Sequence, residues 1–191
     1  IKKNIIKLIR NNLNRKKEYN HLLRIALNKN TLSISLRKKI KSKSNFDLKL
    51  VNLKRPKPEF KNLKYKKILK HLSKLDNSKS DIGLCHNKKI LETGTSNIFF
   101  VKDKKIFSPI DKFYKGITYK FFKSKIKKVI KKDILISSLN KFDEIILIGS
   151  GKGIVSVKTI NQINWKRKEI TIYNQLLKHY NSAINKCPKY K

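Results

Sequence analysis

The sequence predicts an α+β protein, in which helices and hairpins are mixed along the chain. Three observations predict this class. Short apolar runs bounded by turn residues recur, which is typical of buried strands, and several are close enough to form hairpins. Helical spacing of apolar residues is confined to a few segments. There is no internal repeat and no clear linker, so an α+β order is favoured over a regular βαβ alternation.

The individual elements follow from the same patterns. The predicted helices are residues 4–13, 66–75, a basic amphipathic segment that follows residues 115–118 and runs to about 131, and about 169–184. The predicted strands are residues 21–27, 46–53, 81–85, 90–92, the run ending at 101, 106–109, 134–136, 144–148 and 154–160. Residues 28–43 are polar and basic and are predicted to be a loop. Pro56 and Pro58 end the second strand, because proline cannot continue a hydrogen-bonded ladder.

The chain is strongly basic. It has 49 Lys and Arg against 12 Asp and Glu, a formal net charge of +37, which would suggest a nucleic acid or an anionic membrane as partner. The lysines are spread along the whole chain together with Asn and Ile. All three residue types have AT-rich codons, so coding bias is the favoured explanation. Non-specific, salt-sensitive binding to nucleic acid is expected either way.

A dedicated nucleic-acid-binding protein is the alternative from another functional class. Its contact helix would be residues 120–132, with Phe121 and Phe122 among the basic side chains. It predicts that the lysines cluster on one face and that Glu92 is an ordinary surface acid.

Cysteine usage and hydropathy suggest a cytoplasmic protein. Cys85 and Cys187 set no disulfide framework, so a reducing compartment is expected. No apolar stretch approaches the roughly 18 residues of a membrane span. The chain begins with Ile and contains no Met, so we expect that an N-terminal segment is missing.

The most informative segment is residues 91–101, Leu-Glu-Thr-Gly-Thr-Ser-Asn-Ile-Phe-Phe-Val. It places an acid at the start of an apolar run that reads as a buried strand. A lone buried carboxylate is too costly to keep. Glu92 is therefore expected to face a cation or a ring nitrogen.

Three weaker signals accompany this segment: Lys61 at a strand-to-helix junction, Gly116-Ile117-Thr118 at a helix start, and the glycine turn 149–153 after a strand. Each has an ordinary structural explanation when taken alone: Lys61 as a solvated surface charge, Thr118 as a helix N-cap, and the glycine segment as a plain turn. A nucleotide-binding loop would need Gly-Lys-Ser/Thr before a helix. Because a strand is predicted after Gly153, we reject that interpretation.

In this order, the features resemble the fold-type IV pyridoxal-phosphate (PLP) enzymes, or class IV aminotransferases. This family includes branched-chain and D-amino-acid aminotransferases and 4-amino-4-deoxychorismate lyase. The resemblance covers roughly residues 22–157 and is most specific at 92–101, Ser108-Pro109 and 116–118. It implies a D-amino-acid aminotransferase-like fold with a truncated N-terminal domain. Residues 1–58 would be the remnant of that domain and a linker, and 59–191 a mostly complete C-terminal PLP-binding domain.

The resemblance also implies roles for individual residues. Lys61 matches the lysine that bonds to the PLP aldehyde and shuttles the substrate's α-proton, although Lys64 is a rival. Glu92 matches the acid that pairs with the pyridine nitrogen. Tyr65 matches a residue that hydrogen-bonds the phenolic oxygen of the ring.

The phosphate would lie on the backbone N–H groups of Ile117 and Thr118 at a helix N-terminus, and on the hydroxyl of Ser150. The resemblance implies an amino-acid-like substrate, a homodimer and no metal.

Three departures from the family pattern bear on function. The family's phosphate-binding arginine belongs to an N-terminal segment that this chain does not contain. Tyr119 replaces the arginine of Gly-Ile-Thr-Arg. The tail has Trp165-Lys-Arg-Lys rather than the glycine-rich loop common in branched-chain aminotransferases, which favours the lyase branch.

The expected function is therefore that of 4-amino-4-deoxychorismate lyase, which releases pyruvate and leaves 4-aminobenzoate for folate synthesis. A branched-chain or D-amino-acid aminotransferase is the alternative within the family. A degenerate fragment that keeps the fold without the cofactor is a third option.

Overall fold

The computed structural model describes residues 2–14, 16, 17, 19 and 21–187. These residues fall into two compact units, one ending at Ile40 and the other spanning Lys41–Cys187. Residues 41–58 thus belong to the larger unit, because a strand within them pairs with neighbours on both of its sides. The boundary after residue 58 stays a prediction about the family's two domains.

The smaller unit contains a helix and a hairpin. α1 (Lys2–Asn12) and β1 (His21–Leu27) lie where they were predicted. The predicted loop over 28–43 is wrong, because β2 (Leu32–Lys38) pairs antiparallel with β1. Leucine and isoleucine alternate with serine along β2, so one face of this strand is half-buried. The Asn28 side chain closes the turn by accepting hydrogen bonds from the amides of Asn30 and Thr31.

The larger unit is built on a ten-stranded mixed sheet with the order β8-β7-β6-β10-β11-β3-β4-β5-β9, and β12 also pairs with β11. Its strands are β3 (Asn45–Asn52), β4 (Ser80–His86), β5 (Lys89–Thr93), β6 (Asn97–Lys102), β7 (Lys105–Ser108), β8 (Val129–Lys131), β9 (Ile134–Leu135), β10 (Glu144–Gly149), β11 (Gly153–Ile160) and β12 (Trp165–Lys166). Its α-helices are α2 (Lys66–Leu72), α3 (Ile117–Lys125) and α4 (Thr171–Asn185), with 3-10 turns at Ile136–Lys141 and Asn161–Ile163. The β11–β3, β3–β4 and β7–β8 pairs are parallel and the others antiparallel, which confirms the α+β class.

Two helices end earlier than predicted. α2 ends at Leu72 and α3 at Lys125. After α3, Ile126 adopts an extended conformation (φ −86°, ψ 124°), and Val129–Lys131 form β8 beside β7. Branched Val129 and Ile130 suit a strand better than a helix. Within the described ranges, no helix is long and apolar enough to cross a membrane.

The core lies on both faces of the sheet. Successive side chains of a strand point to opposite faces, so β6 sends Ile98 and Phe100 to one apolar cluster, and Phe99 and Val101 to another. Helices α3 and α4 cover the second cluster. β6 and its neighbour β10 are therefore buried on both faces, which gives the turns at their ends a rigid support.

Candidate active site

Two turns meet at one end of the central strands. β6 and β10 pair antiparallel with Asn97 opposite Ile148, so the turn before β6 (residues 93–96) lies beside the turn after β10 (residues 149–153). The approach is close: a Cβ atom on Gly149 would lie 3.1 Å from Ser96 Oγ. The strand predicted after Gly153 is confirmed as β11, which supports the rejection of a nucleotide-binding loop.

Glu92 lies near the end of β5 and is only 3% exposed. Arg55 Nε donates a hydrogen bond to Glu92 Oε1 at 2.8 Å. Burial raises the pKa of Glu92 above its ordinary value of 4.5, and the Arg55 guanidinium partly offsets that rise. The cation expected opposite Glu92 is therefore Arg55.

Tyr114 connects Glu92 to Lys61. The backbone of Tyr114 is among the groups that lower the pKa of Glu92, so it lies near the carboxylate. The Nζ atom of Lys61 lies 5.8 Å from the centroid of the Tyr114 ring, and the Lys61 side chain is exposed. The amine and the carboxylate thus approach the same residue from different segments of the chain.

Asn97 holds the segment that leads into α3. Its Nδ2 donates to the carbonyl of Tyr114 at 2.6 Å, and its Oδ1 accepts from the Gly116 N–H at 3.1 Å. A Cβ atom on Gly116 would lie 3.0 Å from Asn97 Oδ1, so glycine permits this close approach. The two hydrogen bonds of Asn97 therefore fix the position of the residues that precede α3.

Thr118, predicted to bind phosphate through its backbone N–H, and Ser150, predicted to bind it through its hydroxyl, lie next to each other. Thr118 Oγ1 and Ser150 Oγ lie 3.3 Å apart, although 32 positions separate them in sequence. Thr118 and Ile117 lie in the first turn of α3, which contains no acidic residue. The N–H groups and the positive end of the helix dipole therefore suit an anion at this position.

The roles proposed for Tyr65 and for the two candidate lysines stay predictions. Tyr65 directly precedes α2 and packs, half-buried, against the apolar cluster that includes Ile68. Lys64 is exposed, and its backbone N–H donates to Asn62 Oδ1 at 2.9 Å. Of the two lysines, it is Lys61 that places its ammonium beside Tyr114.

Sequence reasoning did not assign Arg55, Tyr114 or the ion pair between Asp81 and Lys152. One signal was available for Asp81, an acid at the start of the apolar strand β4 in a chain with few acids. Arg55 and Tyr114 lie in irregular segments, where no periodicity indicates which way a side chain points.

Cys85 does not provide a nucleophile. It is buried, and this burial raises the pKa of its thiol to about 11. The reactive thiolate is therefore scarce near neutral pH.

The structure contradicts two parts of the nucleic-acid alternative, the surface position of Glu92 and the contact helix over residues 120–132. Glu92 is buried rather than an ordinary surface acid. Phe122, on the proposed contact helix, is fully buried in the core, and that helix ends at Lys125. Aromatic side chains that stack on bases must be accessible, so Phe122 cannot serve this function.

Comparison with known families identifies the class of protein. The model of the amino-transferase class IV family matches residues 2–160, so the chain belongs to this family. No curated protein sequence matches the chain at a significant level.

Solved structures agree with this assignment at the level of the fold. A provisional 4-amino-4-deoxychorismate lyase from Legionella pneumophila superposes with a TM-score of 0.68 at 18% identity, covering 79% of this chain and 60% of its own. The branched-chain aminotransferase of Thermoproteus uzoniensis, solved with norvaline, superposes with a TM-score of 0.68 at 18% identity. The match covers 84% of this chain and 60% of that enzyme. The PLP form of the branched-chain aminotransferase from Thermobaculum terrenum superposes with a TM-score of 0.69 at 17% identity. The match covers 95% of this chain and 69% of that enzyme.

These comparisons confirm the expected family and its fold. A structure from the same group, an aminotransferase from Brucella abortus, is also bound to PLP. The chain spans about 60% of the length of the Legionella protein. Both a lyase and aminotransferases are among these similar structures, so the fold does not select between the two reactions.

Proposed function

We propose that this chain binds PLP and acts on an amino-acid-like substrate, as a 4-amino-4-deoxychorismate lyase. The observation that carries the proposal is the arrangement of three groups around the start of α3. The Thr118 and Ser150 hydroxyls lie together, Glu92 is buried and its pKa is influenced by the nearby backbone of Tyr114, and the Lys61 amine lies over the Tyr114 ring. Their chemistry matches the phosphate, the ring nitrogen and the aldehyde of PLP.

The phosphate end fits this arrangement well. The two hydroxyls and the first N–H groups of α3 are donors, and the helix dipole favours an anion at the same place. We propose that Ile117 contributes its backbone N–H only, since its side chain is 77% exposed.

Glu92 is suited to hold a proton at a ring nitrogen. Burial raises its pKa and the Arg55 guanidinium partly offsets that rise, so Arg55 favours the carboxylate form that pairs with a protonated ring nitrogen. Arg55 also fixes one carboxylate oxygen at 2.8 Å. When bound, PLP supplies an electron-withdrawing ring that stabilises negative charge at the substrate's α-carbon.

Lys61 provides the amine for the proposed chemistry. Its exposed side chain can reach a ligand bound against Tyr114. There it would bond to the aldehyde of PLP with loss of water and be displaced by the amine of the substrate. As a free amine it would then move the proton at the α-carbon of the substrate, as general base and acid.

A lyase and an aminotransferase would use these residues in the same way. The tail with Trp165-Lys-Arg-Lys supports the lyase, whereas the similarity to the Thermobaculum enzyme over 95% of this chain supports an aminotransferase as second candidate. The test is to incubate the PLP-loaded protein with 4-amino-4-deoxychorismate and, separately, with valine and 2-oxoglutarate. Formation of 4-aminobenzoate supports the lyase and formation of glutamate the aminotransferase; neither product, at full PLP occupancy, contradicts both.

We also propose that the active form is a homodimer, as the family resemblance implies. Sedimentation equilibrium with and without PLP measures the mass directly. A monomer at concentrations where activity is maximal would contradict this.

A further inference from the structure

We propose that Lys152 is a positioning residue for the phosphate site: its ion pair with Asp81 fixes the turn 149–153 so that Ser150 lies beside Thr118. This inference rests on the proposed PLP function and names a residue that the family resemblance leaves without a role.

Asp81 is fully buried in β4. Its Oδ2 accepts hydrogen bonds from Thr93 Oγ1 at 2.9 Å and from Thr95 Oγ1 at 2.8 Å. Its Oδ1 accepts from the backbone N–H of Ile82 at 2.8 Å. The carboxylate therefore holds the turn 93–96 onto β4.

Lys152 connects the second turn to the same carboxylate. Its Nζ donates to Asp81 Oδ2 at 2.5 Å, and its side chain is only 10% exposed. The ammonium also lies 4.5 Å from the centroid of the Phe46 ring, where a cation is favoured. A buried charge without its partner is costly, so conformations of the 149–153 turn that separate Lys152 from Asp81 are disfavoured. The ion pair therefore holds this turn at one position.

The ion pair matters because the sequence of this turn does not by itself restrict the backbone to one conformation. It contains Gly149, Gly151 and Gly153, and glycine allows many backbone conformations. Ser150, which carries the phosphate-binding hydroxyl, is exposed and lies two residues before Lys152. Fixing Lys152 therefore limits where the Ser150 hydroxyl can be.

The experiment compares Lys152→Met with Lys158→Met, a matched control. Lys158 lies on β11 and is exposed, so the two variants lose the same charge. Three ligands are titrated against the wild-type chain and each variant: PLP, pyridoxal, which lacks the phosphate, and inorganic phosphate. We expect Lys152→Met to weaken PLP and phosphate binding about tenfold, the loss of roughly one charge-assisted hydrogen bond, and to leave pyridoxal binding unchanged. We expect Lys158→Met to leave all three unchanged.

A second variant separates positioning from folding. Lys152→Met alone leaves Asp81 charged and unpaired, so the double variant Asp81→Asn/Lys152→Met is measured beside it, with thermal melting of each. The double variant removes both charges and is expected to keep the phosphate-selective loss. Equal losses for PLP and pyridoxal, or no loss at all, in a folded variant would overturn the proposal.

Failure of the proposed function has a different signature. A wild-type chain that binds inorganic phosphate but not PLP overturns the PLP function, and the positioning role is then decided by the phosphate titrations alone. A wild-type chain that binds none of the three ligands overturns both proposals.

Discussion

Arg55 Nε donates a hydrogen bond to Glu92 Oε1 at 2.8 Å, joining residues 37 positions apart. Arg55 lies in the irregular segment after β3, and Glu92 lies near the end of β5. The Arg55 side chain is 15% exposed and that of Glu92 3%, so the pair is largely shielded from water. Arg55 therefore supplies the positive charge that compensates the buried Glu92 carboxylate.

The pH dependence of stability tests the protonation of Glu92. Because burial raises its pKa, the folded chain binds a proton at Glu92 more tightly than the unfolded chain does. We compare the free energy of unfolding of the wild type with that of Glu92→Gln. The difference should be constant below the ordinary pKa of 4.5. It should then fall as pH rises from that value through the raised pKa of the folded chain. Urea unfolding between pH 4 and 8 measures this difference.

Glu59→Gln is the control for this measurement. Glu59 is exposed, so its substitution should leave the pH profile within about 0.5 kcal/mol of the wild type. A wild type that gains stability relative to Glu92→Gln as pH rises would show that Arg55 outweighs burial, the reverse of our assignment.

The choice between Lys61 and Lys64 can be tested by covalent trapping. Borohydride reduction of the PLP-loaded protein, followed by peptide mass spectrometry, should place the cofactor on Lys61. Lys61→Ala should abolish the adduct and lower activity by about 10³-fold or more, since the amine also moves the substrate proton. The matched Lys64→Ala should keep both. Loss of the adduct in Lys64→Ala alone would mean that Lys64 is the reactive amine.

Tyr119 stands where the family motif Gly-Ile-Thr-Arg has arginine. The residues around Tyr119 form a suitable site for an aromatic ring. It is 2% exposed, its ring centroid lies 5.4 Å from that of Phe113, and its hydroxyl lies 3.2 Å from Ser108 Oγ. Tyr119→Phe should cost about 1 kcal/mol of unfolding free energy, one hydrogen bond. Tyr119→Arg should cost at least about 3 kcal/mol, because the charge would be buried without a partner.

Urea unfolding at neutral pH measures both variants. If Tyr119→Arg is as stable as the wild type, the arginine must find an anion or solvent at this position. The residue would then face the cofactor site rather than the core.

Glu144 stabilises the start of α4. It is fully buried in β10, and its two oxygens each accept a backbone N–H of the first helical turn, from Ile172 and Tyr173, at 2.8 Å. Glu144→Gln replaces one acceptor by a donor and should cost about 2 kcal/mol. Glu169→Gln, at an exposed position before the same helix, should change the free energy of unfolding by less than about 0.5 kcal/mol. Equal effects of the two substitutions would contradict the capping role.

Much of the fold could be predicted from local patterns. β4, β5, β6, β10 and β11 each contain apolar residues between turn residues, and that pattern predicts their positions to within a few residues. The errors arose where tertiary pairing decides the structure. β2 is stabilised by pairing with β1, and β8 by pairing with β7, and neither pairing can be read from the isolated segment.

The sequence by itself determined that Glu92 must be buried with a partner, because an acid beside an apolar run carries that information. Thr118 and Ser150 became candidate phosphate ligands only through the resemblance of their segments to the family. Only the tertiary structure decided that the partner is Arg55, that Lys61 lies beside Tyr114, and that Asp81 pairs with Lys152. These contacts join residues far apart in sequence, and the register of the sheet sets which of their side chains meet.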